Sequence, residues 1–152
     1  MYYETDEQRM EAFLKLSHIG GSRSDYVQGG GGNTSVKLKN GLMAIKASGF
    51  CLKNIEPTNG YVLLDADGLR RFYRENNPTD FEDPELEGAQ CAKASIRARE
   101  DIPSLRPSVE AGFHSILKTY VLHTHSVFAN LAACAVCGRE VAESAFRYAP
   151  YS

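Results

Sequence analysis

The stretch from Gly29 to Gly49 constrains the fold more than any other part of the chain. Four consecutive glycines lead into Asn33-Thr34-Ser35-Val36-Lys37-Leu38-Lys39, then Asn40-Gly41, then Leu42-Met43-Ala44-Ile45-Lys46 and Ala47-Ser48-Gly49. Asn-Gly between two strand-like runs is a strong short-range signal for a tight β-hairpin, because both residues tolerate the positive φ that such turns need. A hairpin brings its two ends together, so Asn33-Thr34 is expected beside Ser48-Gly49. The glycines before Asn33 read equally as a flexible turn or as a source of free backbone amides. With the amide and hydroxyl groups that follow, they suit a cradle for a phosphate or carboxylate. The spacing matches neither the dinucleotide fingerprint GxGxxG nor the GxxxxGK[ST] loop, which speaks against a nucleotide site.

Around this hairpin the remaining elements alternate. Thr5 and Gln8 fit a capping box, and Met10, Phe13, Leu14 and Leu16 predict a helix over about 6–19, stopped at Gly20-Gly21. His18 in its last turn reads as a favourable end charge or a surface residue. Val62 to Asp65 predicts a short strand, and Asp67 to about Glu75 a helix with Leu69 and Phe72 inward. Residues 76–84 read as a loop, Leu86 to Arg99 as a helix, and Ser108 to Lys118 as another, with Ser108 a possible N-cap. A strand at about 119–124, an apolar helix to about 136 and the start of a further strand over Val141 to Tyr148 complete the expectation. Short strands with hairpins and interleaved helices indicate an α/β or α+β layered fold.

With 152 residues the chain amounts to a single domain, large enough to bury a real core. A net charge of −2 gives no electrostatic reason to expect nucleic acid or an anionic membrane. No apolar run approaches the roughly twenty residues that span a bilayer. The acidic, polar start is not a signal peptide, so a cytoplasmic location is expected. Cys134 and Cys137 have the spacing of a redox or zinc pair. They sit in an apolar stretch with no second such pair, and the expectation is a reduced pair packed in the core.

The chemistry concentrates in Val121-Leu122-His123-Thr124-His125, whose first histidine lies thirteen residues after Glu110. Side chains alternate along a strand, so His123 and His125 point the same way. Two neutral imidazoles on one face suit a divalent metal such as zinc, and a carboxylate nearby can act as a base. A catalytic zinc usually takes three protein ligands, and two histidines leave that set incomplete. Glu110 in the first turn of its helix also has a plain reading, as a complement to the helix dipole. His114, one turn on, reads as an orienting partner or as a buried histidine with satisfied hydrogen bonds.

Taken together, these pieces resemble the class II aldolase/adducin family. The resemblance rests on Gly32-Asn33-Thr34-Ser35-Val36, Lys46-Ala47-Ser48-Gly49, Ser108-Val109-Glu110 with His114, and His123-Thr124-His125, in this order. It covers nearly all of the chain, and its wording is most similar to the branch whose members often carry an additional dehydrogenase-type domain. It implies an α/β fold with a mostly antiparallel central β-sheet covered by helices, zinc bound by His123 and His125, Glu110 as general acid/base, and a substrate phosphate held by Asn33, Thr34, Ser48, Gly49 and Ser108. The implied activity is a zinc-dependent aldolase that cleaves or forms a ketose phosphate through a stabilised enediolate, with Glu110 raised in pKa. Epimerase or decarboxylase chemistry of the same family, or a non-catalytic adducin-like scaffold, are the alternatives. The implied assembly is a homotetramer acting on a small sugar phosphate. The family's third zinc-binding histidine lies well downstream of the pair, and no histidine follows His125. The expectation is therefore a domain over 1–152 lacking its C-terminal portion, binding zinc weakly and inactive alone.

Overall fold

The computed structural model describes residues 4–147. Helix α1 (Asp6–Gly21) opens on the expected capping box: the Thr5 hydroxyl accepts from the Gln8 amide, and the Gln8 side chain accepts from the Thr5 amide. Strands β1 (Asn33–Lys37) and β2 (Leu42–Lys46) form the hairpin, in the register Ser35 opposite Ile45. Leu38 donates to the Leu42 carbonyl, so the connection is the three-residue loop 39–41. Gly41 closes it at φ +82°, a conformation that a Cβ would strain.

β2 pairs on its other side with β3 (Tyr61–Asp65), which runs directly into α2 (Ala66–Glu75). Asp65 caps that helix by accepting from the Gly68 amide. After a short 3₁₀ turn at Pro78–Asp80 come α3 (Pro84–Ala94) and α4 (Ala111–Ile116). Strand β4 (Tyr120–His123) then returns beside β1, followed by α5 (Val127–Cys134) and α6 (Gly138–Ala145). The sheet order is β3-β2-β1-β4, antiparallel throughout, as the resemblance implies.

Period-two alternation sorts each strand into two faces. Val36, Ala44, Tyr61 and Leu63 pack under α1 with Phe13, whose ring meets Tyr61 edge-on at 5.7 Å. Met43, Ile45, Val62 and Leu64 pack on the opposite face against Leu69, Ala92 and Ala111. At β1 this second face changes character. Asn33, Ser35 and Lys37 occupy it, and all three are buried.

Five expectations change. The helix expected over Leu86 to Arg99 ends at Ala94, where the Ser95 hydroxyl turns back onto the Cys91 carbonyl. Asp65 and Arg97 amides then bond to Ser95 and Leu63 carbonyls, laying the chain along the β3 edge. The helix expected from Ser108 begins only at Ala111, because Pro107 bridges Ala47 and holds the preceding residues extended. The apolar helix expected to about 136 ends at Cys134, where the chain turns extended at Ala135. The strand expected over Val141 to Tyr148 is helical instead, α6, with Arg139 paired to Glu143 one turn on. Tyr148 lies outside the described residues. Cys134 and Cys137 are exposed free thiols, not core residues, since α5 has no buried side chain.

Candidate metal and acid–base centre

Burying the polar face of β1 requires partners, because an unpaired buried polar group costs on the order of 1–3 kcal/mol. The segment from Glu110 to Lys118 supplies them. Asn33 Nδ2 donates to Glu110 Oε2 at 2.8 Å, and Ser35 Oγ lies 2.7 Å from His114 Nδ1. Lys37 Nζ donates to the carbonyls of His114 and Lys118 at 2.6 and 2.7 Å. One polar side of one strand thus docks the turn carrying Glu110 and the whole of α4.

Strand β4 completes the arrangement. Its register sets His123 directly opposite Asn33, so the imidazole joins the same face. His123 Nδ1 is 3.0 Å from Glu110 Oε1, and its ring is 4.9 Å from that of His125. Donor atoms of Glu110, His114 and His123 lie within 4.8 Å of one another. Asn33 Oδ1 and His114 Nε2 are buried without a hydrogen-bond partner among the described residues, and the buried His123 Nδ1 has only the Glu110 carboxylate beside it. Imidazole nitrogens beside a carboxylate fit a divalent cation. By distance, Glu110 and His114 join His123 in this cluster, beside the expected pair His123 and His125.

Next to this cluster is a cleft of about 170 Å³ between the glycine loop, Ser48-Gly49 and Ser108 to Glu110, with His125 on its wall. Lys46 holds its shape: Nζ donates to Gly30 and Phe50 carbonyls at 3.0 and 2.9 Å, tying the glycine loop to the turn after β2. Ser48 accepts from Arg106 Nη2 at 2.8 Å. Of the residues singled out in the sequence, Asn33, Glu110 and His123 touch, while His125, Ser48, Gly49 and Ser108 share the cleft. Thr34 does not join them. Its hydroxyl is 2.6 Å from Ser17 Oγ under α1, since alternation sends it to the other face. Ser35 and Lys37 escaped the sequence reading because a polar residue alternating with apolar ones looks like a solvent-facing position.

Charge tuning here differs from expectation at Glu110. Burial pushes its carboxyl up, but the Asn33 hydrogen bond and the neighbouring His123 outweigh burial and leave it below the usual range. Burial lowers Lys46, with Glu110 opposing the shift, and brings Lys37 down to about 8. The fully buried His114 falls to about 4, because desolvation disfavours its cation. The unfolded chain therefore binds this proton first as pH falls below about 6.5. In metal-free protein, His114 is expected to remove stability progressively between about pH 6.5 and 4 and nothing further below. Urea unfolding across that window checks this, and a His114→Gln variant with an unchanged slope would refute it.

The family model described as the class II aldolase and adducin N-terminal domain matches residues 13–150. The chain belongs to this family. Solved structures similar to this class II aldolase/adducin domain include the N-terminal class II aldolase domain of a conserved protein from Thermoplasma acidophilum. That match has 23% identity and a TM-score of 0.67, covering 94% of this chain and 66% of that one. YgbL of Klebsiella pneumoniae, titled as a proposed aldolase/epimerase/decarboxylase, matches with 18% identity and a TM-score of 0.57, over 88% of this chain and 52% of its own. YgbL of Escherichia coli, titled in the same words, gives 19% and 0.57, over 86% and 50%. The chain thus spans less than two thirds of each of these proteins. No curated protein sequence gives a significant match. Among the described residues no helix is long and apolar enough to cross a membrane.

Proposed function

We propose that this domain carries the metal and acid–base centre of a class II aldolase-type lyase acting on a sugar phosphate. The observation that supports it best is the Glu110 carboxylate held between Asn33 and His123, at the edge of the cleft framed by the glycine loop. In this reading His123 and His125 hold zinc. Bound there, the metal supplies Lewis acidity toward a carbonyl oxygen of the substrate. Glu110 takes up the proton of the adjacent carbon and returns it. Its lowered pKa keeps it a carboxylate, the form that accepts a proton, at neutral pH. The Asn33 amide fixes Oε2 of the carboxylate, and Oε1 faces His123 Nδ1.

The phosphate is held by amides and hydroxyls at Ser48, Gly49 and Ser108, which line the cleft, while Asn33 spends its amide donor on orienting Glu110. Thr34, committed to Ser17, stays outside this set. Epimerase and decarboxylase chemistry use the same groups, in keeping with the words of the YgbL titles. The family's setting further suggests a homo-oligomer working in the cytoplasm, within a protein longer than this domain. Metal analysis combined with a screen of ketose and aldose phosphates tests the reading. In the full-length protein zinc is expected at one ion per chain, with His123→Ala losing both metal and turnover. Protein free of zinc whose properties are unchanged by His123→Ala would sink it.

A further inference from the structure

We infer that Ser35 is a positioning residue: its hydroxyl donates to Nδ1 of His114, places the ring proton on Nε2, and so excludes His114 from the metal's ligand set. His114 belongs to the Glu110–His123 cluster by distance, yet a metal needs a free nitrogen lone pair. The neutral ring carries one N–H, and the 2.7 Å contact with Ser35 Oγ admits two arrangements. If Nδ1 carries the proton and donates to Oγ, the Ser35 hydroxyl proton is left without an acceptor among the described residues. The Nε2 lone pair is then unpaired as well, leaving two buried groups unmatched. If instead Oγ donates to Nδ1, only the Nε2 proton is unmatched. In the metal-free protein each unmatched buried group is destabilising, so the arrangement with one such group prevails over the arrangement with two. It leaves no lone pair for a metal on either nitrogen.

The consequence for the site is a division of labour. His114 serves as an anchor: its ring is held by Ser35, its carbonyl by Lys37, and its amide donates to the Glu110 carbonyl at 3.1 Å. Ser35 and Lys37, two positions apart on β1, thereby fix the turn that presents Glu110 to the cleft. The nitrogens left for a metal are those of His123 and His125.

Long-range ¹H–¹⁵N correlation on protein labelled with ¹⁵N-histidine, metal-free and then with added Zn²⁺, reads the tautomer directly. His114 is expected as the Nε2-protonated form in both samples, while the His123 signals change on zinc addition. A proton on Nδ1, or a zinc-induced change at His114, would overturn the inference. Ser35→Ala is expected to give a mixture of tautomers, and Ser35→Thr to restore the single form; an unaltered tautomer in Ser35→Ala removes Ser35 from the role. Zinc affinity gives a second readout. Were His114 a ligand, loss of its outer partner would weaken zinc by about 10–100-fold, whereas no more than about threefold is expected here. The inference rests on the metal reading only for these zinc measurements. Protein that binds no zinc would end that reading, while the tautomer in the metal-free sample would still decide the role of Ser35.

Discussion

Glu110→Gln is expected to lower turnover of a sugar phosphate by about 10²–10⁴-fold, the usual contribution of a positioned acid–base group. Glutamine keeps the volume and still offers an oxygen to Asn33 Nδ2, now 2.8 Å from the carboxylate, so the fold and the cleft should survive. What disappears is a group able to take a proton. Bound zinc should remain near one ion per chain, because His123 and His125 are untouched, and KM should move far less than kcat. Steady-state kinetics beside metal analysis measure both. Equal activity in Glu110→Gln and the parent protein would leave Glu110 with only its plain role at the start of α4.

A large structural effect is expected from Gly32→Ala. Gly32 has φ +69°, and a Cβ there would sit 2.4 Å from Val27 Cγ1 and 2.9 Å from the His123 carbonyl oxygen. Left-handed backbone costs a non-glycine residue roughly 1–3 kcal/mol, and overpacking a further 1–3 kcal/mol. A loss on the order of 3 kcal/mol follows, readable in chemical denaturation. The Val27 side chain can rotate away, but the His123 carbonyl belongs to β4 and cannot yield without moving the strand. Zinc affinity should therefore fall together with stability, although no ligand has been changed. A stable Gly32→Ala protein with undiminished zinc binding would show that the glycine loop is free to shift.

The hairpin, the first helix and the strand leading to His123 were legible because each depends on local rules: turn chemistry at Asn40-Gly41, capping at Thr5 and Gln8, an apolar run from Tyr120 to Leu122; His125 lies just past the end of that strand. Elements set by distant contacts were not. The stretch after Ala94 left its helical pattern for the edge of β3, through bonds to Leu63 and Asp65 that no local signal announces. The start of α4 was delayed by Pro107 meeting Ala47, sixty positions earlier in the chain. Cys134 and Cys137 lie in an apolar run, yet α5 buries none of it, since composition tells how apolar a helix is and not what packs on it.

The candidate site divides in the same way. From the residues alone came the likeness to the family and the members Asn33, Ser48, Gly49, Ser108, Glu110, His123 and His125. The sequence reading set Thr34 beside Asn33 in the phosphate cradle, whereas the structure turns Thr34 to Ser17 and leaves Asn33 on the side of β1 shared with Ser35 and Lys37. Whether that side faced water or protein was beyond the reach of the sequence, because period two fixes relative direction and says nothing of what lies opposite. Only the tertiary structure put Glu110 and His114 over that side and His123 beside Asn33. It did so because burying three polar side chains is tolerable only where hydrogen-bonding partners arrive to meet them.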